Sequence, residues 1–134
     1  MTNNVTAVAP APSSDAMAHF ERTFRFETDC WDVHDALSSG QSGFVLLDVR
    51  SPELYGRAHV PGALSLPHGK ITAGKMAQWP LETLFVVYCA GPHCNGATRG
   101  ALRLSQLHRP VKVMTGGLTG WMDEGFALRE GDAP

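Results

Sequence analysis

The sequence predicts a single α/β domain in which a mainly parallel central sheet is flanked by helices on both sides. Short unbroken apolar runs recur along the chain, which is typical of strands buried on both faces. Segments with helical spacing of apolar residues separate these runs, and such alternation favours a parallel sheet. The chain has 134 residues, of which 43% are hydrophobic, enough for one core.

The N-terminal segment contributes little to this predicted core. Residues 1–14 are rich in Ala, Pro, Ser and Asn, which predicts a disordered tail, so the domain is expected to span residues 15–134. A short helix is expected over residues 15–22. A second helix follows, capped by Thr28 or Asp29 and ended by Gly40.

The remaining elements alternate between strands and helices. Strands are predicted at residues 44–49, 63–66, 84–88 and 111–114, and helices at residues 97–107 and 118–124. Ligands of such sheets bind beyond the carboxyl ends of the strands. Two of the predicted strands end there in polar or reactive groups, at Asp48 to Arg50 and from Cys89 onward.

Composition argues against several classes of protein. The net charge of −2 lacks the basic excess of a nucleic-acid binder. No apolar run approaches the roughly 20 residues that span a bilayer, and residues 1–17 do not resemble a secretory signal. An odd count of three cysteines does not make a secreted disulfide framework, so we expect a cytoplasmic protein. No zinc ligand set stands out, and we expect neither a metal nor a cofactor.

The segment over residues 86–104 carries the predicted chemistry. A buried strand leads directly into Cys89, which therefore lies at the carboxyl end of the sheet. A loop containing two glycines follows and leads into a helix. Loop N–H groups and the helix N-terminus stabilise a thiolate at such a place and can hold a transferred anionic group. Cys89 is therefore the predicted nucleophile. The predicted substrate-binding loop is Ala90, Gly91, Pro92, His93, Cys94, Asn95 and Gly96. A cysteine at a strand end is also often only a small buried apolar residue, but the loop and helix favour function.

Three motifs give this chain a resemblance to the rhodanese-like family over about residues 24–128. LLDVRSPELYGRAHVPGALSLP, which contains AHVPGA at 58–63, resembles the family's Asp-x-Arg strand and following turn. VVYC at 86–89 resembles the strand that ends in the reactive cysteine, and GGLTGW at 116–121 resembles the C-terminal Gly-Gly element. The resemblance implies a sulfurtransferase. Cys89 would take a sulfane sulfur from thiosulfate, polysulfide or a persulfide and pass it to a thiophilic acceptor, either a small molecule or an acceptor protein.

The loop departs from the common family pattern. It is slightly longer and lacks the arginine or lysine that many members place there, so only His93 offers charge. An anionic donor such as thiosulfate would miss a cationic partner. The loop also contains Cys94, which is a candidate resolving thiol for Cys89; the alternative is that Cys94 packs inward as a small loop residue.

Other residues of the motifs have mainly structural interpretations. Asp48 and Arg50 are candidates for shaping the mouth of the site, although such a pair more often locks loops together. Gly116 and Gly117 are expected to adopt a positive φ or to pack closely against the active loop. Arg109, near the helix over residues 97–107, is expected on a solvated face.

Two other functions are compatible with this fold. One is a noncatalytic binding or redox-sensing module, although such modules usually lose the cysteine that this chain keeps. The other is an oxyanion enzyme resembling the dual-specificity phosphatases or arsenate reductases. Those need an arginine at the end of the loop, where Asn95 stands here.

Overall fold

The computed structural model describes residues 3–40 and 42–134, and its strands form one parallel sheet in the order β1-β5-β4-β2-β3. The strands are β1 (Glu27–Asp29), β2 (Val45–Asp48), β3 (Leu64–Ser65), β4 (Phe85–Tyr88) and β5 (Val111–Thr115). β4 lies between β5 and β2, and all four of its residues are buried. The predicted fold class is confirmed.

Helices cover both faces of the sheet. They are α1 (Ser13–Phe26), α2 (Cys30–Ser38), α3 (Pro52–Arg57), α4 (Ala73–Met76), α5 (Gly96–Gln106) and α6 (Gly117–Asp123), with a 3-10 helix at His68–Lys70. On one face α2, α3 and α6 bury side chains around Trp121, and on the other α4 and α5 bury side chains around Phe85 and Leu104. None of the described helices is both long and apolar enough to cross a membrane.

The N-terminal region differs from the expected boundaries. α1 begins at Ser13 and ends at Phe26, so it is longer than the predicted helix over residues 15–22 and starts inside the predicted tail. Residues 3–12 are exposed, while residues 1 and 2 of that tail lie outside the described residues. No residue of α1 is buried, so the helix lies on the surface of the domain. The disorder of the tail stays a prediction.

Four elements were not predicted, namely β1, α3, α4 and the 3-10 helix. β1 is a polar three-residue strand with no apolar pattern of its own. It forms by pairing with β5, where Thr28 lies opposite Met114. α3 has a local signal, because Ser51 accepts a hydrogen bond from the Leu54 N–H and Pro52 opens the helix. Of the two predicted caps of α2, Thr28 and Asp29, it is Asp29 that caps the helix by accepting from the Asp32 N–H.

Candidate active site

Cys89 follows the last residue of the central strand β4 and is buried, with 6% of its surface exposed. Its sulfur lies against Gly96, the first residue of α5. A methyl group placed on Gly96 would stand 2.7 Å from the Cys89 Sγ, which is closer than real side chains approach. The absence of a side chain at Gly96 therefore lets the sulfur reach the start of the helix.

The N-terminus of α5 has free hydrogen-bond donors beside this sulfur. No side chain caps the helix. Within residues 3–40 and 42–134, the N–H groups of Gly96, Ala97 and Thr98 have no backbone acceptor. Unpaired donors at a helix start carry the positive end of the helix dipole, which favours negative charge nearby.

The loop after Cys89 is held from behind by α6. The Cys89 carbonyl accepts from the Leu118 N–H at 3.0 Å, and the Ala90 carbonyl accepts from the Thr119 N–H and hydroxyl, each at 2.9 Å. Gly117 has a φ of 58°, and a methyl group there would overlap the Cys89 carbonyl oxygen. Gly116 has a φ of 89°. Both expectations for this glycine pair, positive φ and close packing on the loop, are confirmed.

Cys94 is joined to Cys89 by a disulfide bond. Their Cα atoms are 6.4 Å apart, within the range that a disulfide spans. The loop turns back because the Cys94 N–H donates to the Gly91 carbonyl at 3.1 Å. Cys94 is half-buried, whereas Cys89 is buried. The bonded pair makes a resolving role chemically feasible, and that role stays a prediction.

A pocket of about 250 Å³ opens beside the two cysteines. Glu27 of β1 is the one charged side chain among the described residues that line it. No local pattern indicated Glu27, because it is far from the loop in sequence and reaches the pocket only through the pairing of β1 with β5. The lining consists of Glu27, Cys89, Gly91, Pro92, Cys94, Ala97, Thr98, Val113, Met114, Thr115, Gly116 and Gly117.

The predicted loop residues divide into two groups. Gly91, Pro92 and Cys94 line the pocket, and Gly96 supports the sulfur from the helix. The other three are exposed and lie outside the pocket lining, namely Ala90, His93 and Asn95. Their role in binding a substrate stays a prediction.

Asp48 and Arg50 form a buried ion pair one strand away from Cys89. The Arg50 guanidinium lies 2.6 Å from the Asp48 carboxylate and also donates to the Ala58 carbonyl. The Tyr88 hydroxyl donates to Asp48 at 2.8 Å and accepts from the Val60 N–H at 3.1 Å. Burial opposes the charge of Arg50, but the hydrogen bond and charge of Asp48 raise its pKa above the ordinary value. The pair lies outside the pocket lining, so its contacts agree with the loop-locking interpretation.

The third cysteine lies on the opposite face of the sheet. Cys30 is buried at the start of α2, and its thiol contacts the carbonyl oxygens of Thr115 and Gly117. Burial, with the negative charges of Asp29 and Glu124, raises the pKa of the Cys30 thiol to about 11. Cys30 is therefore a neutral thiol at physiological pH.

Comparison with known proteins assigns the family. The model of the rhodanese-like domain matches residues 32–124. The chain therefore belongs to the rhodanese-like domain family, as the three sequence motifs predicted.

Two curated relatives that match this chain are proteins of different kinds. One is an HTH-type transcriptional regulator of Mycobacterium tuberculosis, 31% identical over 86 residues. The other is the mitochondrial protein HIGH ARSENIC CONTENT 1 of Arabidopsis thaliana, 30% identical over 113 residues. These alignments cover 64% and 77% of this chain, but only 38% and 65% of the relatives. The activities of those whole proteins are therefore not transferred to this chain.

Solved structures share the architecture. The BH2092 protein of Bacillus halodurans superposes with a TM-score of 0.86 at 32% identity, covering 90% of this chain and 88% of that one. A thiosulfate sulfurtransferase of Pseudomonas aeruginosa gives a TM-score of 0.63 at 24% identity, covering 84% of this chain and 22% of that one. At that identity the second likeness concerns the fold alone.

Proposed function

We propose that this domain is a sulfurtransferase in which Cys89 carries a sulfane sulfur as a persulfide. The observation that carries the proposal is the contact of the Cys89 sulfur with Gly96 at the uncapped start of α5. An anionic sulfur at this place is stabilised by unpaired N–H donors before and after transfer.

The transfer consists of two balanced displacements. The Cys89 thiolate attacks the terminal sulfur of a donor, which forms the persulfide and expels the rest of the donor as an anion. A thiophilic acceptor then attacks the outer sulfur, and the electron pair of the broken S–S bond returns to Cys89. Because Cys89 is joined to Cys94, a donor reacts only after a thiol has opened that disulfide.

The charge of the pocket favours donors with little negative charge. Among the described lining residues Glu27 is the only charged one, and it is an acid. The dianion thiosulfate would depend on backbone donors alone, each worth about 0.3–1 kcal/mol when exposed. The persulfide group of an organic donor carries at most one negative charge, and a persulfide carried on a protein is therefore a suitable donor class.

The test is the mass of each cysteine-containing peptide after the reduced protein meets an organic persulfide. In Cys94→Ser we expect the Cys89 peptide to gain the mass of one sulfur atom. In Cys89→Ser we expect no such gain at position 89, and the rate of sulfur transfer to cyanide should fall by about a thousandfold or more. Cys30→Ser is the matched control and should behave as wild type. Full transfer by Cys89→Ser, with loss in Cys94→Ser, would show that the other loop cysteine is the carrier.

The oxyanion-enzyme alternative has weaker support. Asn95 stands where a phosphatase loop needs its arginine, and the nearest guanidinium on α5, that of Arg99, hydrogen-bonds Asn95 on the exposed side of the helix. Arg99 does not line the Cys89 pocket. Hydrolysis of an aryl phosphate that depends on Cys89 would favour this alternative over sulfur transfer.

A further inference from the structure

We propose that Cys94 discharges the Cys89 persulfide as hydrogen sulfide, so that the domain reduces sulfane sulfur in addition to transferring it. This inference rests on the proposed function, because it begins from the Cys89 persulfide. Its product is the Cys89–Cys94 disulfide, which is the bonded pair found in the structure.

The geometry brings both sulfurs to one point. A methyl group on Gly96 would stand 2.7 Å from the Cys89 Sγ and 3.5 Å from the Cys94 Sγ, so both atoms lie over the same glycine. The turn from Gly91 to Cys94 closes the loop, and Pro92 within it restricts the backbone. The anchored carbonyls of Cys89 and Ala90 fix the other end of the loop on α6. The two cysteines are thus positioned for an intramolecular reaction.

The step balances in atoms and electrons. The Cys94 thiolate attacks the inner sulfur of the persulfide, which is the Cys89 Sγ. A bond forms between the two cysteine sulfurs, and the bond to the outer sulfur breaks. The outer sulfur leaves with the electron pair as hydrosulfide and is protonated in solution. The sulfane sulfur is reduced by two electrons, and the two cysteines are oxidised to the disulfide.

A dithiol reductant must then reopen the disulfide, and the burial of the two cysteines selects the sulfur that it attacks. Cys94 is half-buried and Cys89 is buried, so an external thiol reaches the Cys94 sulfur first. Cys89 is then expelled as a thiolate at the start of α5, where the helix stabilises negative charge. A thiolate that is stabilised as it leaves favours attack at Cys94 over attack at Cys89. The second thiol of the reductant then attacks its own sulfur in the mixed disulfide and displaces Cys94, so that the reductant leaves as a disulfide and both cysteines return as thiols.

Cys30 cannot substitute for Cys94 in this cycle. It lies on the other face of the sheet and packs in a different core cluster from Cys89. Its thiol also holds its proton, since its pKa is about 11. Cys30→Ser is therefore a control that removes one thiol and leaves the proposed pair intact.

The experiment is a single turnover of the full chain. Protein is reduced, freed of reductant and exposed briefly to one equivalent of cysteine persulfide. Released sulfide is measured in that reaction mixture against a protein-free control, and nonreduced peptides are mapped after desalting. For wild type and Cys30→Ser we expect sulfide equal in moles to the protein, together with a Cys89–Cys94 crosslink. For Cys94→Ser we expect the persulfide to last on the order of a hundredfold longer, because the intramolecular attack is lost.

The outcomes separate the two proposals. A persulfide that lasts as long in wild type as in Cys94→Ser, with Cys94 still a free thiol, would overturn the role of Cys94 and leave the carrier role of Cys89 intact. A crosslink that forms without released sulfide would also overturn it. If Cys89 gains no sulfur even in Cys94→Ser, the proposed sulfurtransferase function itself fails.

Discussion

Cys30 and Cys89 are equally buried, each 6% exposed, and the sulfur of each lies near the start of a helix. Cys30 is the first residue of α2, and the Cys89 sulfur lies against Gly96, the first residue of α5. Their surroundings nevertheless differ. The start of α2 beside Cys30 is capped by the Asp29 carboxylate, and burial together with negative charge raises the pKa of that thiol. The start of α5 beside Cys89 has no side-chain cap. An acid therefore takes a donor at the start of α2, whereas no side chain takes one at the start of α5.

Gly117 lies between the two cysteines. Its carbonyl accepts from the Cys30 thiol, while its Cα packs against the Cys89 carbonyl. The two thiols belong to opposite core clusters yet share this residue. Substitutions at other glycines can therefore disturb one cysteine without the other.

Gly96→Ala should give the largest difference between the two regions. The added methyl group would stand 2.7 Å from the Cys89 Sγ, so the sulfur must move away from the helix start. We expect persulfide transfer to cyanide to fall by about a hundredfold, the cost of misplacing a reacting atom by roughly 1 Å.

Gly120→Ala is the matched control for this substitution. Its methyl group would lie 3.3 Å from the Cys30 Sγ, on the other face of the sheet. Transfer should stay near the wild-type rate. Equal rates for Gly96→Ala and wild type would show that contact with α5 is not what activates Cys89.

A smaller effect is expected for Cys30, whose ionisation should lower the free energy of unfolding at high pH. Burial raises the pKa of its thiol in the folded protein from 9.0 to about 11, so above pH 9 the unfolded chain loses this proton first. The free energy of unfolding should therefore fall as the pH rises from about 9 to 11, by roughly 1–2 kcal/mol.

The measurement is urea unfolding of the reduced protein at several pH values, compared with Cys30→Ser. The comparison cancels the ionisation of Tyr55 and Tyr88, whose pKa values burial also raises. Parallel stability curves for the two proteins would contradict an elevated Cys30 pKa.

The smallest effect concerns the choice of sulfur donor. Glu27→Gln removes the negative charge from the Cys89 pocket, and His93→Arg adds a positive charge to the loop. We expect each to raise kcat/KM for thiosulfate by about two- to fivefold, which corresponds to roughly 0.4–1 kcal/mol for a screened charge. Turnover of an organic persulfide should change less. If neither substitution raises kcat/KM for thiosulfate above the wild-type value, the charge of the pocket does not determine which donor reacts.

Local sequence was sufficient to predict the central part of the site. The strand β4, Cys89, its loop and α5 are consecutive in the chain, so their order alone determines how they meet. The Asp29 cap and the positive φ of Gly116 and Gly117 also follow from residue type at a recognisable position.

Features that depend on distant contacts could not be predicted. Glu27 enters the pocket only because β1 pairs with β5. The expectation that Arg109 lies on a solvated face is wrong: it is buried, and its guanidinium donates to the carbonyl oxygens of Met76, Trp79 and Pro80. These acceptors are backbone carbonyl oxygens at and after the end of α4, and every residue type has such a carbonyl. The side chains of this segment therefore did not indicate that it binds a guanidinium. The helix α3 is different, since its signal at Ser51 and Pro52 is present in the sequence.

The strand order also sets which part of the site opens first. β4 is paired with a strand on each side, whereas β1 is a three-residue strand at the edge of the sheet. The helix that precedes β1 in the chain, α1, buries no residue. Local unfolding begins where least surface is buried. We therefore expect amide hydrogens of residues 27–29 to exchange with solvent long before those of residues 85–88. Slower exchange in β1 than in β4 would contradict this order. Detachment of β1 would move Glu27 and widen the pocket, while the strand that presents Cys89 stays folded.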